Sequence, residues 1–143
     1  MTTVAALQAA LGVEHEVIYG YGVVGAHLSG RLRARCLRRL DEHSARRDQL
    51  ALLVRRAGAI PVAARPAYAL PYPVADVTSA ARLAARLEDA VAGAAWDLVT
   101  ASGPATAPRR LGVSTLEAAA TAAGGWRVLV PGTTDPALPG QPG

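Results

Sequence analysis

The stretch EHEVIYGYGVVGAHL, residues 14–28, can be interpreted either as a nucleotide-binding turn or as part of a helix. The choice between these two interpretations decides the fold. Its glycines spell G-x-G-x-x-G, a pattern that in dinucleotide-binding proteins follows a strand and opens a helix. The preceding residues 6–19 instead repeat apolar side chains every three or four positions, which is the period of a helix. We therefore interpret the glycines as lying inside a helix. Gly22 with Ala26, and Gly25 with Ser29, then form small-residue ridges that allow a neighbour to pack closely.

The remainder of the chain predicts three more helices of the same amphipathic kind. The four predicted helices are residues 3–28, 30–57, 79–101 (capped by Thr78) and 107–123. Residues 59–76 contain four prolines, which exclude a regular helix and predict an extended crossover. The fold class is therefore all-α, a four-helix bundle with a long Pro-rich crossover between helices 2 and 3.

The ends of the chain divide it into a bundle and a tail. Gly124 and Gly125 are expected to end the fourth helix. Residues 1–126 form the predicted bundle, and residues 127–143 form an extended Pro/Gly-rich tail packed by Trp126 and Val128.

The composition narrows the function classes. All 15 basic residues are arginines, and nine of them fall between positions 31 and 56, which is typical of a solvated helix face. We therefore do not expect nucleic-acid binding. The single cysteine, Cys36, cannot form an internal disulfide, and no signal peptide or membrane span is visible. These features predict a cytoplasmic protein that does not insert into a membrane.

Polar residues on the apolar stripes are the candidate functional residues. Glu14 interrupts the stripe of helix 1, while His43 and Arg47 interrupt that of helix 2. Glu88 flanks the stripe of helix 3, and Tyr21 lies one heptad after Glu14 on the same face. A buried carboxylate must be paired or bound to a metal.

Two interpretations of this set remain open. Carboxylates and an imidazole inside a bundle can bind iron or manganese, with Glu14, His43 and Glu88 as ligands. Alternatively, Arg47 neutralises the two carboxylates in a buried ion-pair network, which we favour because a guanidinium places a fixed positive charge where a cation would bind.

Four blocks of sequence together resemble a small actinobacterial ferritin-like family of unknown function. The blocks are residues 14–28 (EHEVIYGYGVVGAHL), 43–50 (HSARRDQL), 66–74 (PAYALPYPV) and 82–99 (RLAARLEDAVAGAAWDLV). The resemblance implies a ferritin-like bundle with the crossover between helices 2 and 3.

The resemblance also provides a test for a di-iron centre. The ferritin-like superfamily places a single Glu on helices 1 and 3, which Glu14 and Glu88 match, and Glu-x-x-His on helices 2 and 4. Leu40 stands three residues before His43, and Ala120 stands three residues after Glu117, so both of those motifs are incomplete.

We therefore predict a ferritin-like protein without a complete di-iron centre and without a cofactor, which acts by binding or self-association, with a homodimer expected. The alternative is an iron- or manganese-binding oxidoreductase or storage protein that uses Glu14, His43 and Glu88. The sequence assigns no catalytic residue, cofactor-binding residue or small-molecule ligand.

Overall fold

The computed structural model describes residues 1–132. These residues form four α-helices and no strand. The helices are α1 (Thr3–Ala26), α2 (Gly30–Arg56), α3 (Val77–Ala101) and α4 (Ala107–Arg127). The all-α fold class is confirmed. None of these helices, within the described residues, is long and apolar enough to cross a bilayer. Most of the predicted tail, residues 133–143, lies outside the described residues.

The helix ends follow from local hydrogen bonding. Thr2 caps α1 by accepting from the backbone N–H of Ala5 at 3.1 Å. At the start of α3, Asp76 and Ser79 form a reciprocal capping box, so the prediction of Thr78 as the cap was wrong. Gly58 follows α2 with φ of +80°, a left-handed conformation that glycine adopts without strain.

Helix α4 continues through Gly124 and Gly125, where we expected it to end. The cause is Trp126, which is fully buried and lies beneath the guanidinium of Arg35, 4.1 Å from the ring centre. With the backbone helical at this point, the indole lies in the bundle interior. Val128, which we expected to pack with Trp126, is 85% exposed.

Helix α1 packs against both α2 and α3, and α4 packs against α3. At Gly20 the α1 backbone is close to α3: a Cβ there would lie 2.6 Å from Leu87 Cδ1. Gly22 has open space around it, so the prediction of a close contact there was wrong, whereas a Cβ at Gly25 of the second predicted ridge would lie 3.3 Å from Cys36 Sγ of α2. Gly112 allows a similar approach of α4 to Val99 of α3.

Residues 57–76 contain neither helix nor strand and connect α2 to α3. Gln8 of α1 fixes the start of this segment with its side-chain amide. It donates to the carbonyl of Ile60 at 2.6 Å and accepts from the N–H of Val62 at 2.8 Å. Further on, the rings of Tyr19 and Tyr68 lie 5.7 Å apart. The segment therefore follows the outer face of α1.

The apolar core is divided into two clusters along the bundle. One cluster contains Leu7, Leu11 and Leu50, and the other contains Val17 and Leu83. The positions between them on α1 and α2 carry the buried polar residues, which are described next.

Candidate functional site

Two carboxylates and a histidine from three helices meet in the middle of the bundle. Glu14 lies on α1, His43 on α2 and Glu88 on α3, and each is at most 2% exposed. The imidazole of His43 lies between the two carboxylates, with Nδ1 2.8 Å from Glu14 Oε2 and Nε2 3.2 Å from Glu88 Oε1. One side chain therefore joins all three helices.

Two arginines of α2 face the same carboxylates. Arg46 Nη1 donates to Glu14 Oε1 at 3.2 Å. Arg39 donates two hydrogen bonds to Glu88, from Nε to Oε1 at 2.9 Å and from Nη2 to Oε2 at 2.7 Å. Bidentate contacts of this kind are among the strongest hydrogen bonds in proteins. We call Glu14, Arg39, His43, Arg46 and Glu88 the ion cluster.

Two aromatic side chains extend the hydrogen bonds of the ion cluster to α4. The hydroxyl of Tyr21 on α1 donates to Glu88 Oε1. The indole Nε1 of Trp126 on α4 in turn donates to that hydroxyl at 2.9 Å. Both aromatic residues are fully buried. All four helices are therefore connected through polar contacts in the interior.

The contacts determine the protonation states of the ionisable groups in the site. Burial raises the pKa of Glu88, but hydrogen bonds from His43 and Arg39 outweigh it and bring that pKa to about 2. Burial lowers the pKa of His43, while its hydrogen bonds to Glu14 and Glu88 raise it by more, so the net direction is upward. Burial, together with the charge of Glu88, raises the pKa of Tyr21. The carboxylate of Glu88 is therefore ionised, and the phenol is a neutral donor.

The charges of the site balance when His43 is protonated. Arg39 also forms an ion pair with Glu42, whose side chain is 53% exposed at the rim of the site. Three carboxylates (Glu14, Glu42 and Glu88) then face three cations (Arg39, His43 and Arg46). Buried charges without partners are costly, so this balance allows five ionisable groups to remain in the interior.

The structure brings Glu14, Tyr21, His43 and Glu88 together and leaves Arg47 outside. The predicted role of Arg47 is corrected, because its guanidinium pairs with Asp48 at 2.9 Å and its side chain is 35% exposed. Residues three and four positions after His43 both lie near its face of the helix. The phase of α2 turns the earlier one, Arg46, inward.

Sequence reasoning missed Arg39 and Arg46, and it gave Trp126 a packing role only. Arg39 lies four residues before His43 and Arg46 lies three residues after it, which are the spacings of one helix face. That signal was present, but an arginine-rich helix also places many guanidinium groups in solvent at the same spacings.

The donor set of the ion cluster does not fit a metal ion. The carboxylates approach opposite nitrogens of the His43 ring, so an ion at either nitrogen would meet only one of them. Arginines also occupy the carboxylate oxygens and place fixed positive charge beside them. Over residues 1–132, no three His, Cys, Asp or Glu side chains are grouped as metal ligands.

The fold and the site define the class as an all-α four-helix protein with an ionised, hydrogen-bonded interior. The chain belongs to the family described as a domain of unknown function (DUF4439), whose model matches residues 6–143. Proteins with curated descriptions give no match.

A solved structure supports the architecture. The chain is similar to the crystal structure of a conserved hypothetical protein, rv2844, from Mycobacterium tuberculosis, with a TM-score of 0.83 and 33% sequence identity. The alignment covers 90% of this chain and 96% of that chain, so the likeness extends over nearly the whole fold.

Proposed function

We propose that this protein is a ferritin-like bundle in which the ion cluster replaces a di-iron centre, and that it acts by binding or self-association without metal chemistry. The observation that carries the proposal is the position of His43 between Glu14 and Glu88. A histidine that ligates a metal directs one nitrogen at the ion, with a second partner on the other nitrogen. Here both nitrogens face carboxylates.

The arginines support the same proposal. A di-metal site in a bundle uses carboxylate oxygens as ligands. The oxygens of Glu14 and Glu88 accept hydrogen bonds from Arg46 and Arg39 instead. Because a guanidinium stays protonated at any physiological pH, these partners would repel an incoming cation.

Self-association is proposed as a homodimer, on the basis of apolar side chains that α2 leaves at the surface. Leu37 is 48% exposed and Leu52 is 44% exposed. Sedimentation equilibrium of the purified chain measures this directly. A mass that doubles over the concentration series supports the homodimer, and a monomer mass throughout contradicts it.

Elemental analysis tests the proposed interior. The chain is purified from cells supplied with iron and, separately, with manganese, and its metal content is measured. Metal content far below one atom per chain, with an unfolding midpoint that a chelator leaves unchanged, supports the proposal. About two metal atoms per chain, as in di-metal bundles, would overturn it in favour of a metal-binding oxidoreductase or storage protein.

Matched variants decide whether any bound metal belongs to the site. Glu14→Gln and His43→Gln change the ion cluster, while Glu16→Gln changes an exposed carboxylate on the same helix. Metal that both interior variants lose and the control retains would assign the ion to the bundle interior. Retention of the metal by both interior variants would assign it to the surface.

A further inference from the structure

A second cluster of charged residues lies at the surface, away from the ion cluster. It lines a cavity of about 260 Å³ between α3, the end of α4 and the crossover. We call its polar residues, Tyr72, Arg82, Arg86, Asp89 and Arg127, the arginine pocket. Its volume is close to the lower end of small-ligand sites, about 300 Å³.

The charges that the described part of the chain places around the arginine pocket are not balanced. Arg82 and Arg86 are exposed and lie one turn apart on α3, an arrangement in which like charges repel. Neither forms an ion pair with another residue of the part of the chain that the structure describes. The pocket carboxylate, Asp89, pairs with Arg127. Among residues 1–132, the pocket therefore keeps an excess of positive charge.

Tyr72 gives an independent indication of a ligand. Its hydroxyl is shielded from solvent and has no hydrogen-bond partner among residues 1–132. Burial raises the pKa of Tyr72, against the charges of Arg82 and Arg86, so the hydroxyl is a neutral donor near two guanidinium groups. A shielded hydroxyl without a partner is uncommon in a folded protein and calls for an explanation.

We propose that the arginine pocket binds a phosphate monoester, held by Arg82, Arg86 and the Tyr72 hydroxyl. Guanidinium forks match phosphate oxygens in geometry and charge, and the phenol supplies a further donor to the same group. The cavity is larger than a phosphate ion requires. Ala85 and Val130 also line it and provide apolar surface for the organic part of the ligand. This site is separate from the bundle interior, so it does not depend on the proposal above.

Calorimetric titration with phenyl phosphate and with inorganic phosphate tests the site in the full chain. The expected result is saturable binding of both, with tighter binding of phenyl phosphate because its ring contacts the apolar wall. Arg82→Gln combined with Arg86→Gln is expected to weaken binding by about 10-fold or more, and Tyr72→Phe by about 5-fold.

The control is Arg55→Gln combined with Arg56→Gln, which removes the same charge from the end of α2. Its affinity should stay within about 2-fold of wild type, since exposed single charges contribute little. Absence of saturable binding to wild type would overturn the proposal, and so would equal weakening by the control. Unfolding midpoints measured without phosphate verify that each variant is folded.

The same chemistry could come from a lipid headgroup. Co-sedimentation with phosphatidylcholine vesicles, with and without phosphatidic acid, distinguishes the sources. Binding that requires phosphatidic acid and the two α3 arginines assigns a lipid phosphate as the ligand. Binding of phenyl phosphate without vesicle binding assigns a soluble phosphate monoester.

Discussion

The ion cluster and the arginine pocket are built from the same residue types but are completed differently. In the interior, Arg39 and Arg46 each face a carboxylate of another helix. At the surface, Arg82 and Arg86 line one cavity with the Tyr72 hydroxyl, which has no hydrogen-bond partner among residues 1–132. The comparison teaches that a guanidinium is a candidate ligand-binding group only where no carboxylate of the protein pairs with it.

The largest expected effect comes from removing a carboxylate of the ion cluster. Glu88→Ala leaves Arg39 and His43 buried without their anion, and it should lower the free energy of unfolding by about 3–5 kcal/mol. Urea denaturation measures the change. Asp97→Asn, an exposed change on the same helix, is the control and should stay within about 0.5 kcal/mol of wild type. A loss for Glu88→Ala as small as that of the control would show that the ion cluster does not stabilise the fold.

Acidification should reproduce part of that loss without a mutation. The pKa of Glu88 is about 2 in the folded protein, below the usual value of about 4.3 in an unfolded chain. A depressed pKa stabilises the fold above the unfolded value, so stability should fall as the pH drops from about 4.3 towards 2, by on the order of 3 kcal/mol. Urea denaturation across this range measures the slope, and a flat profile would contradict the pairing.

Raising the pH should also lower the stability of the fold, and this loss comes from His43. Its pKa is raised in the folded protein, so its contribution is complete below about pH 6.5 and is lost as the pH rises through the folded value. Titration of labelled histidine rings by NMR measures this directly. A midpoint for His43 at or below about 6.5, the usual value of an unfolded chain, would contradict protonation between the carboxylates.

Neighbouring arginines of α2 provide a smaller effect. Arg46→Gln removes the guanidinium that contacts Glu14 and should cost about 2 kcal/mol of unfolding free energy. Arg47→Gln removes a partly exposed partner of Asp48 and should cost less than about 0.5 kcal/mol. Thermal denaturation of the two variants compares them, and equal losses would contradict the assignment of Arg46 to the interior.

The smallest effect is expected in the arginine pocket. Without phosphate, Arg82→Gln combined with Arg86→Gln should change stability by no more than about 0.5 kcal/mol, because neither arginine forms an ion pair within the described part of the chain. Urea denaturation in a buffer free of phosphate tests this. A loss comparable to that of Arg46→Gln would mean that these arginines stabilise the fold, and the contrast between the two regions would disappear.

The sequence predicted the four helices and three members of the ion cluster because both signals are local. Glu14, His43 and Glu88 could be found because each is polar on or beside an apolar stripe. The choice between Arg46 and Arg47 depends on helix phase to within about 50°, which spacing alone does not define. Arg39 belongs to a run of arginines whose other members are mostly exposed.

Features that depend on distant packing were not predictable from the sequence. Helix α4 passes through Gly124 and Gly125 because the Trp126 indole reaches Tyr21, more than 100 residues earlier. The arginine pocket combines Tyr72 with residues of two helices. These residues are too far apart in the sequence for a local pattern to reveal that they meet.

His43 also determines how the molecule can open. Its ring is held from α1 and α3 while its backbone belongs to α2, so none of the three helices can leave without stranding a buried charge. Fluctuations that detach one helix are therefore suppressed, and the middle turns of α1, α2 and α3 should exchange their amide hydrogens in a single cooperative event. Helix α4 joins this network through one neutral hydrogen bond, from Trp126 to Tyr21, and otherwise packs mainly against α3.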